Sequence, residues 1–206
     1  MTLPPDPFNP EVFTLAVGEP VYRVFRAPRG VDEFRTSGPT ADTRFAFFGD
    51  PNVPVLYGAE TDQAAVCETV LHDIPQSGGA VLPTDYQNRA VCLLRPSRDL
   101  QLASFMGTGL KRLGVEAKEL TDTESAHYPE TNKWAEAAHA NGHDGISWMS
   151  RKCNSDQAYV FFGDRVSSDD FEQDDSYARA FANPDDFNWL VDFCAPLHVE
   201  VLIEMG

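Results

Sequence analysis

The stretch that most constrains this chain is residues 55–73, VLYGAETDQAAVCETVLHD. A short apolar run ending in Tyr57 passes through Gly58 and Ala59 into helical periodicity, so a strand hands over directly to a helix. Thr61 is placed as the N-cap, and Asp62 in the first turn complements the helix dipole. Ala64, Cys67, Leu71 and Ile74 recur at i, i+3, i+7 and i+10, which predicts a buried stripe, with Pro75 ending the helix. Glu68 lies beside that stripe, one turn before His72. A carboxylate there loses part of its hydration unless a partner or a substrate replaces it. The alternative is a solvated glutamate on the helix surface, and this stretch alone leaves both open.

Composition sets the outer limits. With 206 residues and 42% hydrophobic content, the chain can build one sizeable core, and a single domain is expected. It contains neither a run of about 18 apolar residues for a membrane span nor a charged-then-apolar leader, which predicts a cytoplasmic protein without a membrane partner. Cys67, Cys92, Cys153 and Cys194 are scattered without a C-x-x-C pair, so no zinc knuckle or disulfide framework is indicated. A formal charge of −16 argues against a nucleic-acid surface, because a polyanion would meet an acidic face.

Residues 1–20 carry Pro4, Pro5, Pro7, Pro10 and Pro20 and read as an extended arm. VYRVFR at 21–26 alternates as a strand, which forces one arginine to share an apolar face. With Val21, Arg23 and Phe25 on one side and Tyr22, Val24 and Arg26 on the other, that arginine lies either at a strand end in solvent or inside as an anion receptor. RFAFF at 44–48 reads as another short strand, opening with Arg44, and RAVCLL at 89–94 as a buried one. GTGLKR at 107–112 falls one position short of a dinucleotide fingerprint, because Arg112 stands where the third glycine belongs and LASFM before it is no convincing strand.

A helix is expected from about Thr131, as cap, to Asn141, with Trp134, Ala135 and Ala138 as its stripe and Gly142 as the left-handed residue after it. In ISWMS, Ile146, Trp148 and Ser150 share a face, so Ser150 emerges at the end of an apolar row, where it either holds a ligand or bonds its own loop. His139 and His143 lack the glutamate of a zinc-protease helix and are assigned no metal. AYVFF at 158–162 should lie at the centre of a sheet. The acidic segment 164–186 reads as a solvated loop that could dock a basic partner, and Val199, Val201 and Ile203 alternate as a closing strand.

Taken together, VYR at 21–23, RF at 44–45, VLYGAE at 55–60, ETVLHD at 68–73 and DGISWMSR at 144–151 resemble, in order and context, the motifs of the RES-domain family, named for its Arg, Glu and Ser. The resemblance runs from about residue 20 to 165. Lys152, Cys153 and Asn154 depart from the family's more common His-Asp or Asp-Pro turn.

The resemblance implies one α/β (α+β) domain over residues 21–206, similar to ADP-ribosyltransferases, with a central, mostly antiparallel sheet flanked by helices. It implies the toxin of a type II toxin–antitoxin pair, partnered by an Xre-type antitoxin and open to homodimerisation. Such a toxin cleaves the nicotinamide–ribose bond of NAD+ by phosphorolysis or hydrolysis, with NAD+ as substrate, phosphate as a co-substrate and no cofactor. Arg23 and Arg44 would take the pyrophosphate, Tyr57 would stack on nicotinamide and Glu68 would stabilise the ribosyl cation. Ser150 would orient the ribose or a phosphate, and His72 would stand behind them. Two other readings remain: a protein mono-ADP-ribosyltransferase, and a domain that binds a partner without turnover.

Overall fold

The computed structural model describes residues 2–36 and 43–203. In chain order its elements are β1 Glu11–Leu15, β2 Val21–Arg26, β3 Val55–Ala59, α1 Asp62–Cys67, β4 Gly79–Val81, α2 Pro83–Tyr86, β5 Arg89–Pro96, β6 Leu100–Ser104, α3 Thr108–Leu113, α4 Ala117–Leu120, α5 Tyr128–Ala140, β7 Gly145–Met149, β8 Gln157–Phe162, β9 Phe171–Ala180, α6 Pro184–Cys194 and β10 Val199–Val201. Eight strands form one sheet in the order β1, β6, β7, β8, β3, β2, β5, β9, while β10 pairs with β4 alone. Among the described residues, only β6 and β7 run parallel within the large sheet, so the architecture is a mixed α/β domain built on a mostly antiparallel sheet.

The apolar run of β8 follows from its place between β7 and β3. Ala158, Val160 and Phe162 pack into the core beneath α5, and Tyr159 and Phe161 pack into the core on the other face. A strand buried on both faces has no polar side to show. Trp134 and Ala138 of α5 meet Phe45, Phe105 and Trp148 in the first of these cores. α1 closes the sheet over β2 and β3, where Val66 and Cys67 join a third cluster with Val91 and Leu190.

Several elements differ from the sequence reading. The Pro-rich segment 1–20 contains β1, because EVFTL between Pro10 and Pro20 is itself free of proline and pairs antiparallel with β6. RFAFF at 44–48 is a turn: Thr43 bridges to Ala46 and Phe45 sits at φ 71°. Its aromatic residues fill core space instead, Phe45 packing edge-on against Phe105 and Trp148. LQLAS before the glycine-rich turn is the buried strand β6.

The acidic segment 164–186 holds the ten-residue edge strand β9 and the start of α6. Charged side chains on an edge strand discourage further pairing, so acidity here is compatible with a strand. The α5 helix begins at Tyr128, and Thr131 lies buried inside it, its hydroxyl donating to the Tyr128 carbonyl at 3.0 Å. Pro129 in the first turn loses no bond there, since that N–H would have no partner in the helix.

Candidate active site

Strands β2 and β3 share a single paired position, Tyr22 with Ala59. Beyond it Val55 bridges to Arg35 instead of to β2, and the two strands part. Their close approach at the shared end requires Gly58, where an added Cβ would stand 2.5 Å from Val21 Cγ1. A cavity of about 410 Å³ occupies the split, lined by residues of both strands and by α1 and the residues after it. That volume lies within the usual range for small-molecule sites, roughly 300–1,000 Å³.

Glu68 enters the cavity from the end of α1. Thr61 caps the helix as read, its hydroxyl accepting from the Ala64 N–H at 3.1 Å. The helix then stops after six residues, short of Pro75, and Glu68 is its C-cap. Ser150 Oγ donates to Glu68 Oε1 at 2.6 Å, and the Arg151 backbone N–H donates to the same oxygen at 3.1 Å. Among the described residues Oε2 has no partner, so one oxygen is pinned and the other is free to meet a ligand.

Ser150 stands at the end of the Ile146 and Trp148 row, as the alternation of ISWMS predicts. It is fully buried and does not line the cavity. Its hydroxyl also accepts from the Cys153 N–H at 3.1 Å. Ser150 thus stands behind the carboxylate, where its hydroxyl holds Glu68.

Arg23 and Arg44, only 6% and 5% exposed, both line the cavity. Arg23 Nη2 donates to the Glu33 carbonyl at 2.7 Å, and Arg44 Nη2 to the Thr123 carbonyl at 3.0 Å. Burial pulls Arg23 down to a pKa of about 10, still well above neutrality, so it stays charged. Two further arginines, Arg35 and Arg89, line the same space. In all four the Nε atom is shut away from solvent without a hydrogen-bond partner among the described residues. Buried donors of this kind normally find acceptors, and four guanidinium groups lining one cavity, each with its Nε unmatched, favour an anion there. The pocket is thus cationic within a chain of net charge −16.

Tyr57 lines the cavity while its hydroxyl donates to the Arg44 carbonyl and lies 3.0 Å from Thr43 Oγ1. Burial raises its pKa above the usual phenol range, so it remains neutral and pins the turn that carries Arg44. His72 also faces the cavity, with Nε2 3.1 Å from the Tyr128 hydroxyl. Burial lowers its pKa below the ordinary imidazole value, which keeps it neutral at pH 7. The Arg44 guanidinium lies 5.5 Å from the centre of the Tyr128 ring.

Arg35 and Arg89 were missed by the sequence reading. Arg35 sits in a turn-rich polar segment without periodicity, and Arg89 opens a strand read as purely structural. The register of Arg89 against Arg26 is the signal that pairing β2 with β5 would have supplied. Among the described residues no group of three or more His, Cys, Asp or Glu could hold a metal ion, and no helix is long and apolar enough to cross a membrane. His139 instead bonds Asp164 at 2.8 Å.

A split, mostly antiparallel sheet whose cavity holds one anchored carboxylate and four arginines defines the class, and sequence comparison gives it a family. The family model of the RES domain matches residues 20–181, and the chain belongs to that family. Among solved structures, the fold is similar to that of a chain in the crystal structure of the M. tuberculosis MbcT–MbcA toxin–antitoxin complex. The TM-score is 0.56 and the identity 13%, over 80% of this chain and 85% of that one. At this identity the likeness is one of fold. No curated protein matches the sequence.

Proposed function

We propose that this RES-domain protein is the toxin of a toxin–antitoxin pair and consumes NAD+ by breaking its nicotinamide–ribose bond. The observation that carries the reading is the cavity itself: four arginines whose Nε atoms have no partner among the described residues share its lining with a carboxylate of which one oxygen is held and the other is free. NAD+ brings a diphosphate that matches guanidinium forks through charge-assisted pairs. It also brings a flat cationic ring for which Tyr57 offers an aromatic wall.

The chemistry follows from where charge develops. As the C1′–N bond breaks, its electron pair goes to the nicotinamide nitrogen, and the ring leaves as a neutral molecule. No strong general acid is needed. The ribosyl carbon becomes oxocarbenium-like, and a fixed carboxylate stabilises it through its charge and a bond to the ribose 2-hydroxyl. Glu68 is given that task, with Ser150 and the Arg151 N–H holding it in place so that little reorganisation is needed at the moment of reaction. Water then captures the cation and loses a proton, or phosphate captures it directly.

The antitoxin partner is proposed from the fold likeness to a toxin–antitoxin complex, and an Xre-type protein is the kind expected. The test is to incubate purified protein with NAD+, with and without phosphate, and to follow products by chromatography. Release of nicotinamide with ADP-ribose or its 1-phosphate is the expected result. Nicotinamide release with ADP-ribose attached to protein would move the acceptor to a side chain. Absence of any nicotinamide release would leave a binding domain.

A further inference from the structure

The cavity arginines fall into two groups. Arg23 has Asp32, Glu33 and Arg35 as charged neighbours, and Tyr57 has both Arg35 and Arg44. Arg35 and Arg44 therefore lie near Tyr57, and Arg23 lies near Arg35; all three line the cavity. Arg89 instead has Arg26, Asp85 and Asp73 about it. Asp85 Oδ2 accepts from the Leu82 N–H, and the Asp73 side chain is 99% exposed.

The register explains the second group. Arg26 ends β2 directly opposite Arg89, which opens β5. Opposed residues on antiparallel strands project from the same face with Cβ atoms about 5 Å apart, and like charges so placed destabilise the pair. Tyr22 and Val24, on the same face of β2 as Arg26, line the cavity, so Arg26 stands about 7 Å past Val24 at roughly 3.3 Å per residue. Among the described residues neither Arg26 nor Arg89 is in an ion pair with a carboxylate. The Nε of Arg89 is closed to solvent and unpartnered.

We propose that Arg89, with Arg26 at the rim, forms a second anion subsite that takes a phosphate dianion, distinct from the Arg23, Arg35 and Arg44 part of the cavity. Two opposed guanidinium forks match the charge and the paired oxygens of a phosphate, and the bound anion removes their mutual repulsion. That phosphate is either inorganic phosphate or a monoester carried by the dinucleotide, such as a ribose 2′-phosphate. The use of the subsite rests on the NAD+ reading, whereas its existence does not.

Two measurements test it. First, inorganic phosphate should slow phenylglyoxal modification of Arg89 and Arg26 at least about threefold relative to chloride at equal ionic strength, read peptide by peptide by mass spectrometry. This requires no variant. Second, calorimetric titration with inorganic phosphate should show at least about tenfold weaker binding at one site in Arg89→Met, the loss of one charged contact, and a smaller loss in Arg26→Met.

Turnover then names the source. If Arg89→Met raises the KM for NADP+ far more than that for NAD+, the phosphate is the dinucleotide's own. If it removes phosphate-dependent turnover and leaves ADP-ribose as product, the phosphate is free. Phosphate protection and the variant deficit in a protein that never cleaves NAD+ would support the subsite while refuting the proposed function. Wild-type phosphate affinity in both variants, with no protection of Arg89, would overturn the subsite whatever the enzyme does.

Discussion

Replacing Ser150 by Ala removes the donor that holds Glu68 Oε1 at 2.6 Å while leaving the Arg151 N–H on the same oxygen. A hydrogen bond to a charged group contributes about 1.5–3 kcal/mol. If that contribution is realised in the transition state, where the carboxylate faces the growing positive charge, the rate falls roughly 10- to 150-fold. Because Ser150 is fully buried and does not line the cavity, KM for NAD+ should move less than about threefold. The same change strips the acceptor from the Cys153 N–H. This should lower stability by about 1 kcal/mol or more, or a Tm drop of a few degrees for a chain this long. The assay is steady-state nicotinamide release with a thermal melt on the same preparation. A tenfold rise in KM at unchanged kcat would refute the reasoning, since it would mean that the hydroxyl touches the substrate.

Other perturbations bear on the rest of the site. Arg23→Ala and Arg44→Ala should each raise the KM for NAD+, at about 1.5–3 kcal/mol per lost charged bond. Lysine at either position should restore little, and full rescue would mean that the planar fork is not used. Gly58→Ala should destabilise the fold by about 1–3 kcal/mol in urea unfolding, because its Cβ would meet Val21 Cγ1 at 2.5 Å; unchanged stability would mean that β2 yields freely. His72 has a folded-state pKa below the imidazole norm through burial. As pH falls below about 6.5 the unfolded chain therefore binds a proton that the native state refuses, and stability is lost. Melts at pH 7.5 and 5.5 should show a smaller drop for His72→Gln than for wild type, and equal drops would remove the linkage from this residue.

What the sequence made legible was local. The strand-to-helix change at 55–68 and the Thr61 cap are written in nearest-neighbour chemistry, and the alternation of ISWMS put Ser150 at the end of a buried row. The face to which Ser150 turned its hydroxyl was not legible, because that depends on Glu68, 82 residues away. RFAFF has the composition of a strand, yet the turn at 43–46 sends its aromatic side chains into a core shared with Phe105 and Trp148. The helix at Glu68 ended early for the same kind of reason: residues beyond Cys67 turn to pack Val70 and Leu71 against the third cluster, which overrides a periodicity that could have continued. Arg35 and Arg89 become site residues only through pairing, Arg35 with Val55 of β3 and Arg89 with Arg26 of β2, information that no single segment carries.

The central claim is that the free oxygen of Glu68 stabilises charge at the ribosyl carbon. It is tested most directly by Glu68→Gln, with nicotinamide release and NAD+ binding measured on the same protein. Gln keeps the shape and loses the charge, and the charge matters only as the bond breaks. The account predicts that turnover falls at least roughly a hundredfold while the NAD+ dissociation constant moves less than about tenfold. A Glu68→Gln protein that released nicotinamide at the wild-type rate would contradict it.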